Sequence, residues 1–583
     1  MWAQSTVALV CALLASPTLG RHEEYNEDLV LRPLPDGKLL ARFAFTTLLA
    51  GAVPRAPASL EDEDISQHYT LFPLALGQIL REYAVTELHL SLNAGKWDYD
   101  RWGYPEEPGV GTGAELWAWM GDGASSSIDA RWKGTQNALA GLFCASLGAM
   151  DNQRTTSPTR AFPPAGQLPR LHSPHRHALR HATLPAEHVC TENLTPFLKL
   201  LPCPARAGAA ALLDPHRVFD ADWHGLGMHV RWRAGVGIEL SLTVQAVFDP
   251  VRGARDGKRD WSLRSIFDRG IPRACPVATT SQVRVDLPPA DSGFELSPEP
   301  SRIEHGQAIF DIMDTTQDLD VAMKWPQEPK FAYRALPPTI DTSTPLTTSA
   351  AFDLHHNPRI PFSFLRTLKG ASQDQGTLAL TVRNHDSTLP LDVLYLETMP
   401  WHVEFYLHTM RTTCDAIPCD ALSNLTYTPP VPHTSPALLQ AMLTIPPHAT
   451  LRLTLEARKA FLRYTEHPPD AQRGWDLPPA VLIPISPLHT SQSQPQSQTD
   501  KAEIERGWGG RRRVYTPVLL VDLATPDFSM PYNVIIMSCT LVALIFGSIF
   551  NILTRRFALV KVVDSEPEEK ESAEEVDAGA GAQ

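Results

Sequence analysis

Cysteine is scarce in this chain, 8 among 583 residues, too few for disulfides to stand in for a hydrophobic core as the main scaffold. Positive charge is also short: 51 Lys and Arg face 65 Asp and Glu, a net charge of −14. That balance argues against a nucleic-acid partner. Catalytic signatures are missing as well. There is no His-Glu-x-x-His, no Gly-x-Ser-x-Gly, and no catalytic-cysteine pattern around Cys144 or Cys190. The one dense glycine cluster, Gly109-Val-Gly-Thr-Gly113, lacks the lysine, strand and helix of a phosphate loop and reads as a turn. His172, His175, His177 and His181 are close in sequence, but no Cys or carboxylate stands at ligand spacing. No catalytic, metal or cofactor site is therefore expected, although a glycosidase needs only two carboxylates, such as Asp98 and Asp100, placed suitably in space.

Apolar mass is abundant. Hydrophobic residues make up 43% of the chain, with 13 Trp and 21 Phe, which excludes disorder throughout. The 52 prolines are roughly twice the usual share of about 5%. They fall between short apolar runs, where they terminate helices and mark turns. Alternation around Pro35-Asp36-Gly37, at Ile238 to Phe248, Leu378 to Val382, Val403 to Phe405 and Leu451 to Leu455 predicts strands. A helix is expected over Trp132 to Leu147, a short one from the capping Thr195 with Pro196 in its first turn, and a last strand over Val518 to Leu523. The expected fold is mainly β: antiparallel β-sandwich domains with a few helices. The aromatic cluster Trp97, Tyr99, Trp102, Tyr104, Trp117 and Trp119 fits a core or domain interface better than a ligand platform.

The two ends set the topology. Val7 to Ala15 is a short apolar run closed by Ser16-Pro17, so residues 1–20 read as a cleaved secretory signal. Val534 to Leu553 carries no charged side chain, and about 20 such residues cross a ~30 Å hydrocarbon core. A transmembrane helix is expected over 533–554, with Tyr532 at one membrane interface and Arg555 and Arg556 at the other. The acidic tail 555–583 then lies in the cytosol and the body in the lumen. The body divides by composition into an N-terminal β-rich region with helices, 21–225, and a C-terminal β-sandwich region, 226–526. The latter includes a flexible Ser-Gln-rich insertion over 486–513. Six cysteines face an oxidising lumen: Cys144, Cys190, Cys203, Cys275, Cys414 and Cys419. Cys414 and Cys419 can bridge each other, and Cys190 can pair internally, most simply with Cys203. Asn193-Leu-Thr195 and Asn424-Leu-Thr426 are N-glycosylation acceptors on this topology.

Several segments resemble the PIG-T family of subunits of the glycosylphosphatidylinositol (GPI) transamidase. They are Tyr25-Asn-Glu-Asp-Leu-Val-Leu-Arg-Pro-Leu-Pro-Asp-Gly-Lys-Leu, His68-Tyr-Thr-Leu-Phe-Pro, Leu90 to Tyr104, the Val-Cys-Thr-Glu-Asn-Leu-Thr-Pro run around Cys190, and Phe528-Ser-Met-Pro-Tyr-Asn-Val-Ile. The resemblance runs from near the mature N-terminus to Arg556. It implies a non-catalytic scaffold in the endoplasmic reticulum membrane that stabilises and positions a caspase-like cysteine-protease subunit. That complex removes a C-terminal signal from precursor proteins and attaches a GPI lipid; lipid and precursor are substrates of the complex. The resemblance also implies an interchain disulfide to the catalytic subunit through Cys190, in place of the internal bridge. The competing reading from the residues alone is an independent lumenal carbohydrate-active enzyme or lectin-like membrane protein built on the aromatic cluster.

Overall fold

Alternating apolar residues on both sides of Pro35-Asp36-Gly37 start the fold. In a computed structural model of the chain, β1 (Glu23–Pro33) and β2 (Leu39–Ala50) pair antiparallel from Glu23↔Leu49 to Pro33↔Leu39. Gly37 at φ +83° permits the tight turn, closed by Leu34 N donating to Lys38 O at 2.8 Å. The structure describes residues 23–555 except 63–68, 204–206, 255, 290–291, 314–317, 329, 332–359, 371, 373, 464–465, 467–473, 486–511 and 524–528. The expected signal segment, most of the Ser-Gln insertion and the tail from Arg556 onward lie outside the described residues.

Nine more strands extend this hairpin: β3 (Val85–Ala94), β4 (Gly113–Gly121), β5 (Thr155–Thr156), β6 (His177–Leu184), β7 (Trp223–Arg233), β8 (Gly237–Phe248), β9 (Thr280–Asp286), β10 (Arg302–Glu304) and β11 (Gln307–Asp311). They form one eleven-stranded sheet in the order β10-β11-β9-β1-β2-β8-β7-β3-β4-β6-β5, in which β1 and β9 run parallel. The sheet runs across the boundary expected at 225/226. That point falls inside β7, and the β7–β8 hairpin is wedged between β3 and β2, so the sheet is continuous across it.

The two faces of the sheet differ. Leu88, Leu90 and Leu92 of β3, Leu116 and Ala118 of β4, and Met228 and Val230 of β7 share a core with three helices. These are α1 (Leu74–Glu82), α2 (Ile128–Phe143) and α3 (Thr191–Lys199). Helix α2 starts four residues before its expected position because Ser127 Oγ accepts from Ala130 N. It stops at Cys144, which adopts a left-handed φ of +52°.

The opposite face meets a β-sandwich. One sheet of the sandwich comprises β12 (Phe362–Lys369), β13 (Gln375–Asn384), β15 (Val403–Phe405), β16 (Arg411–Cys414), β17 (Ile417–Pro418) and β20 (Thr450–Lys459). The other comprises β14 (Leu391–Met399), β18 (Leu422–Thr428), β19 (Ala437–Ile445), β22 (Val481–Pro484) and β23 (Val514–Tyr515). A ribbon of β21 (Gly474–Leu477) and β24 (Leu519–Asp522) sits beside them and supplies the expected last strand. Trp97, Tyr99, Trp102, Tyr104 and Trp223 share one core with Phe362, Leu380, Val393, Tyr395 and Leu453 of the sandwich. The aromatic cluster is thus the seam between the two halves. Cys414 and Cys419 are bridged.

Helix α4 (Ser529–Thr554) is described by itself. Its stretch Tyr532–Thr554, 23 residues, is long and apolar enough to cross a membrane. The hydroxyls of Ser538, Thr540 and Thr554 bond to the carbonyls of Val534, Ile536 and Phe550, so the helix satisfies these polar groups internally.

Between the two sandwich sheets, Arg366 of β12 pairs with Glu397 of β14, both side chains fully buried. Arg366 Nη1 also donates to Pro478 O at 2.9 Å, and Tyr395 Oη donates to Glu397 Oε2 at 2.7 Å. Removing one partner strands a charge without water. Arg366→Ala is expected to cost about 3–5 kcal/mol, read as a lowered unfolding midpoint of the detergent-solubilised chain, whereas Arg366→Met with Glu397→Met costs far less.

Candidate covalent attachment site

The Val189-Cys-Thr-Glu-Asn-Leu-Thr-Pro196 run forms the start of α3, and its chemistry follows from Asn193. Cys190 is the extended residue before the helix, and its backbone N–H donates to Asn193 Oδ1 at 2.7 Å. Asn193 Nδ2 donates to the carbonyls of Phe143 at 2.9 Å and Cys144 at 3.3 Å, the last residues of α2 and its cap. One side chain therefore caps two helices. With Leu194 and Phe197 buried against the large sheet, the helix begins at Thr191 and not at the expected Thr195. Cys190 itself is exposed and unpaired.

Cys203, the simplest internal partner for Cys190, is bonded instead to Cys275. At the Asn193 sequon the side-chain amide, the atom a glycan would occupy, is a buried donor in the two-helix cap. Asn424 is exposed at φ +50° on β18. Tyr532 is 63% exposed on α4, and Arg555 N donates to Asn551 O at its end; Arg556 lies outside the described residues.

Sequence reading missed a polar seam on the sandwich side of the large sheet. On β3, His89 lies 3.0 Å from Glu87 Oε1 through Nε2 and 3.0 Å from His229 Nδ1 of β7 through Nδ1. Glu107 Oε2 stands 3.0 Å from His229 Nε2. Next to them, His181 of β6 and Tyr515 of β23 converge on Glu115 of β4 at 3.0 and 2.7 Å. The Gly109-Val-Gly111 turn serves this contact, since a Cβ at either glycine would come within 2.5 or 3.0 Å of the Tyr515 ring. Trp117 stacks on His89 at 3.8 Å, and Arg513 lies over Phe162 at 4.8 Å. The available signal was the Glu87-x-His89 alternation inside a strand.

The remaining histidines of this group diverge. His177 Nε2 bonds to Pro169 O at 2.8 Å and His175 faces Asp122 at 3.6 Å. Among the described residues no set of His, Cys, Asp or Glu is arranged to hold a metal ion. Because Trp97, Trp102, Tyr99 and Tyr104 are buried in the seam, they offer no carbohydrate platform.

The described residues thus form a mainly β body with an exposed thiol at a doubly capped helix start, and one helix long and apolar enough to cross a membrane. The chain belongs to the Gpi16 family, the Gpi16 subunit described as a GPI transamidase component, which matches residues 8–260 and 254–579. It is 33% identical to the human GPI-anchor transamidase component PIGT over 96% of this chain and 95% of that protein. Similarity extends to the mouse protein of the same name, at 34% identity over 92% of this chain and 90% of that one. The Saccharomyces cerevisiae GPI transamidase component GPI16 is 30% identical over 93% of this chain and 90% of its own length.

Charge in the seam makes stability depend on pH. Burial alone would raise Glu107, but His229 and Arg42 outweigh it and bring the carboxyl down to about 2 from 4.5. Burial, with the nearby positive groups, holds His89 well below its ordinary 6.5. Burial pushes Glu87 up to about 7, outweighing the amides of Ala165 and Gly166. Glu107 thus contributes stability that is full above 4.5 and lost as pH falls towards 2. His89 acts in the same direction, because below 6.5 the unfolded chain takes up a proton that the fold refuses. Glu87 acts oppositely, its contribution being lost as pH rises through about 7. Between 4.5 and 6.5 His89 and Glu87 act in opposite directions. The unfolding midpoint is therefore expected to drop steeply only below 4.5, and Glu107→Gln to start lower and flatten that acid limb, followed by circular dichroism.

Proposed function

We propose that this chain is the scaffold subunit of the GPI transamidase in the endoplasmic reticulum membrane. It stabilises and positions a caspase-like cysteine-protease subunit, which cleaves precursor proteins and joins the new carboxyl end to the GPI lipid. This chain contributes no catalytic group. Its body lies in the lumen, α4 anchors it, and Tyr532 with Arg555 and Arg556 mark the two membrane interfaces, the tail being cytosolic. The body divides functionally into the helix-bearing region that carries the attachment site and the β-sandwich region that braces it.

The observation that carries the reading is Cys190. Membership of the family gives the assembly, and an exposed thiol on a doubly capped helix start, with Cys203 committed to Cys275, supports an interchain disulfide at that residue. A covalent link converts a reversible contact into an intramolecular one of high effective concentration. Asn424, exposed within its sequon, is the glycan acceptor.

Non-reducing electrophoresis of the purified complex tests the link. The wild-type chain is expected to migrate at the summed mass of two subunits and to fall to monomer mass on reduction, and Cys190→Ser to run as monomer throughout; monomer mass for both would refute it. Endoglycosidase treatment is expected to shift the wild-type chain once and Asn424→Gln not at all, while a remaining shift in that variant would assign a glycan to Asn193.

A further inference from the structure

Of the six cysteines outside the N-terminal segment and α4, four are paired as Cys203–Cys275 and Cys414–Cys419. The two left over, Cys144 and Cys190, are both free and both exposed. Although 46 residues apart in sequence, they lie on segments stapled together at both ends. Asn193 Nδ2 holds the carbonyls of Phe143 and Cys144, and Glu187 Oε1 accepts from Ser146 N at 2.8 Å. As one segment advances from 143 to 146 the other retreats from 193 to 187, so the two run antiparallel and Cys190 falls opposite Cys144 and Ala145.

Phe143, Ala145 and Val189 are buried, whereas Cys144 and Cys190 between and beside them are exposed. The Asn193 amide touches the backbone of each, at Cys144 O and Cys190 N. Both residues lie just outside their helices, Cys144 in the left-handed region and Cys190 extended. A disulfide between them, which needs Cα atoms about 4.4–6.8 Å apart, would therefore leave α2 and α3 wound.

We propose that Cys144 is the resolving cysteine of this site: in the unassembled subunit it forms an internal disulfide with Cys190, and this bond is exchanged for the interchain one on assembly. The proposal rests on Cys190 being the interchain residue. In the first step the two thiols lose two protons and two electrons to a lumenal protein disulfide, which is reduced to a dithiol. In the second, a thiolate of the incoming subunit attacks Cys190 Sγ, the Cys144–Cys190 bond breaks, and Cys144 departs as a thiolate that takes up a proton. One disulfide is consumed and one is made, so assembly needs no further oxidant. Until then neither thiol is available for mispairing.

The test is peptide mapping of the full-length chain after rapid alkylation of thiols with N-ethylmaleimide, from cells with and without the catalytic subunit. Trypsin releases Cys144 on residues 134–154 and Cys190 on residues 181–199. In the unassembled chain these two peptides are expected to be disulfide-linked. In the assembled complex Cys144 is expected to carry the maleimide and Cys190 the interchain bond. Cys144→Ser is expected to slow formation of the interchain bond several-fold in pulse-chase labelling, with the subunits still co-purifying. Cys144 alkylated in both pools overturns the proposal, and an interchain bond at Cys190 in the same sample leaves the scaffold reading standing. A 144–190 link that persists in the complex with no interchain bond overturns both the exchange and the interchain link at Cys190.

Discussion

A sheet face carrying Glu87, His89, Glu115, His181, His229 and Arg231 is buried, and the rest of the body is arranged around the consequences. In an antiparallel sheet the alternate positions of each strand normally face water when they are polar. Here they face the sandwich. Every one of those groups loses hydration on folding and must find a partner within the seam. The partners come from distant sequence: Ala165 and Gly166 amides for Glu87, Tyr515 for Glu115, Glu107 for His229. Tyr515 of the sandwich donates to Glu115 at 2.7 Å, so a shift of the sandwich on the sheet would take a partner from that buried carboxylate.

That constraint bears on the opposite face. With the sandwich fixed beneath it, the sheet is a stiff support for α1, α2 and α3, whose apolar sides fill the other core. Packed cores resist small displacements, so the junction of α2 and α3 inherits its rigidity from a layer it does not touch. Asn193 then locks the junction locally. A subunit that works by holding a neighbour needs this property more than it needs any reactive group. The Arg366–Glu397 pair plays the same role one layer further down.

Strands were legible wherever alternation was clean: the β1–β2 hairpin, β8, β13, β20 and β24 follow the periodic apolar positions. Strand order was not, because nothing local tells β7 and β8 to insert between β2 and β3. The sheet crosses the boundary expected at 225 for that reason: composition changes there, but pairing ignores composition. Helix starts slipped at α2 and α3, where the caps are Ser127 and the Cys190–Asn193 pair. At α3 the sequon pattern drew attention to Asn193 as a sugar acceptor, and nothing local in the sequence showed that the same side chain caps two helices. The aromatic cluster was correctly read as an interface, since six large rings broken by Pro and Gly have no other way to leave water. The polar seam was invisible because a Glu-x-His strand pattern is what a solvated face also looks like.

Where the sequence carried most was in marking Cys190 within an unusual run, and where it fell short was in saying what stands beside it. The internal alternative it favoured, Cys203, is separated from Cys190 by the whole of α3, a nine-residue rod of about 1.5 Å per residue. A bond between the two ends of such a rod would require unwinding it. Cys144 is far in sequence and near in space because the large sheet brings α2 and α3 onto one face and Asn193 joins their ends. Distance along the chain and helix geometry thus act in opposite directions at this site. The second is the stronger, since a few hydrogen bonds across a packed junction cost less to keep than a helix costs to break.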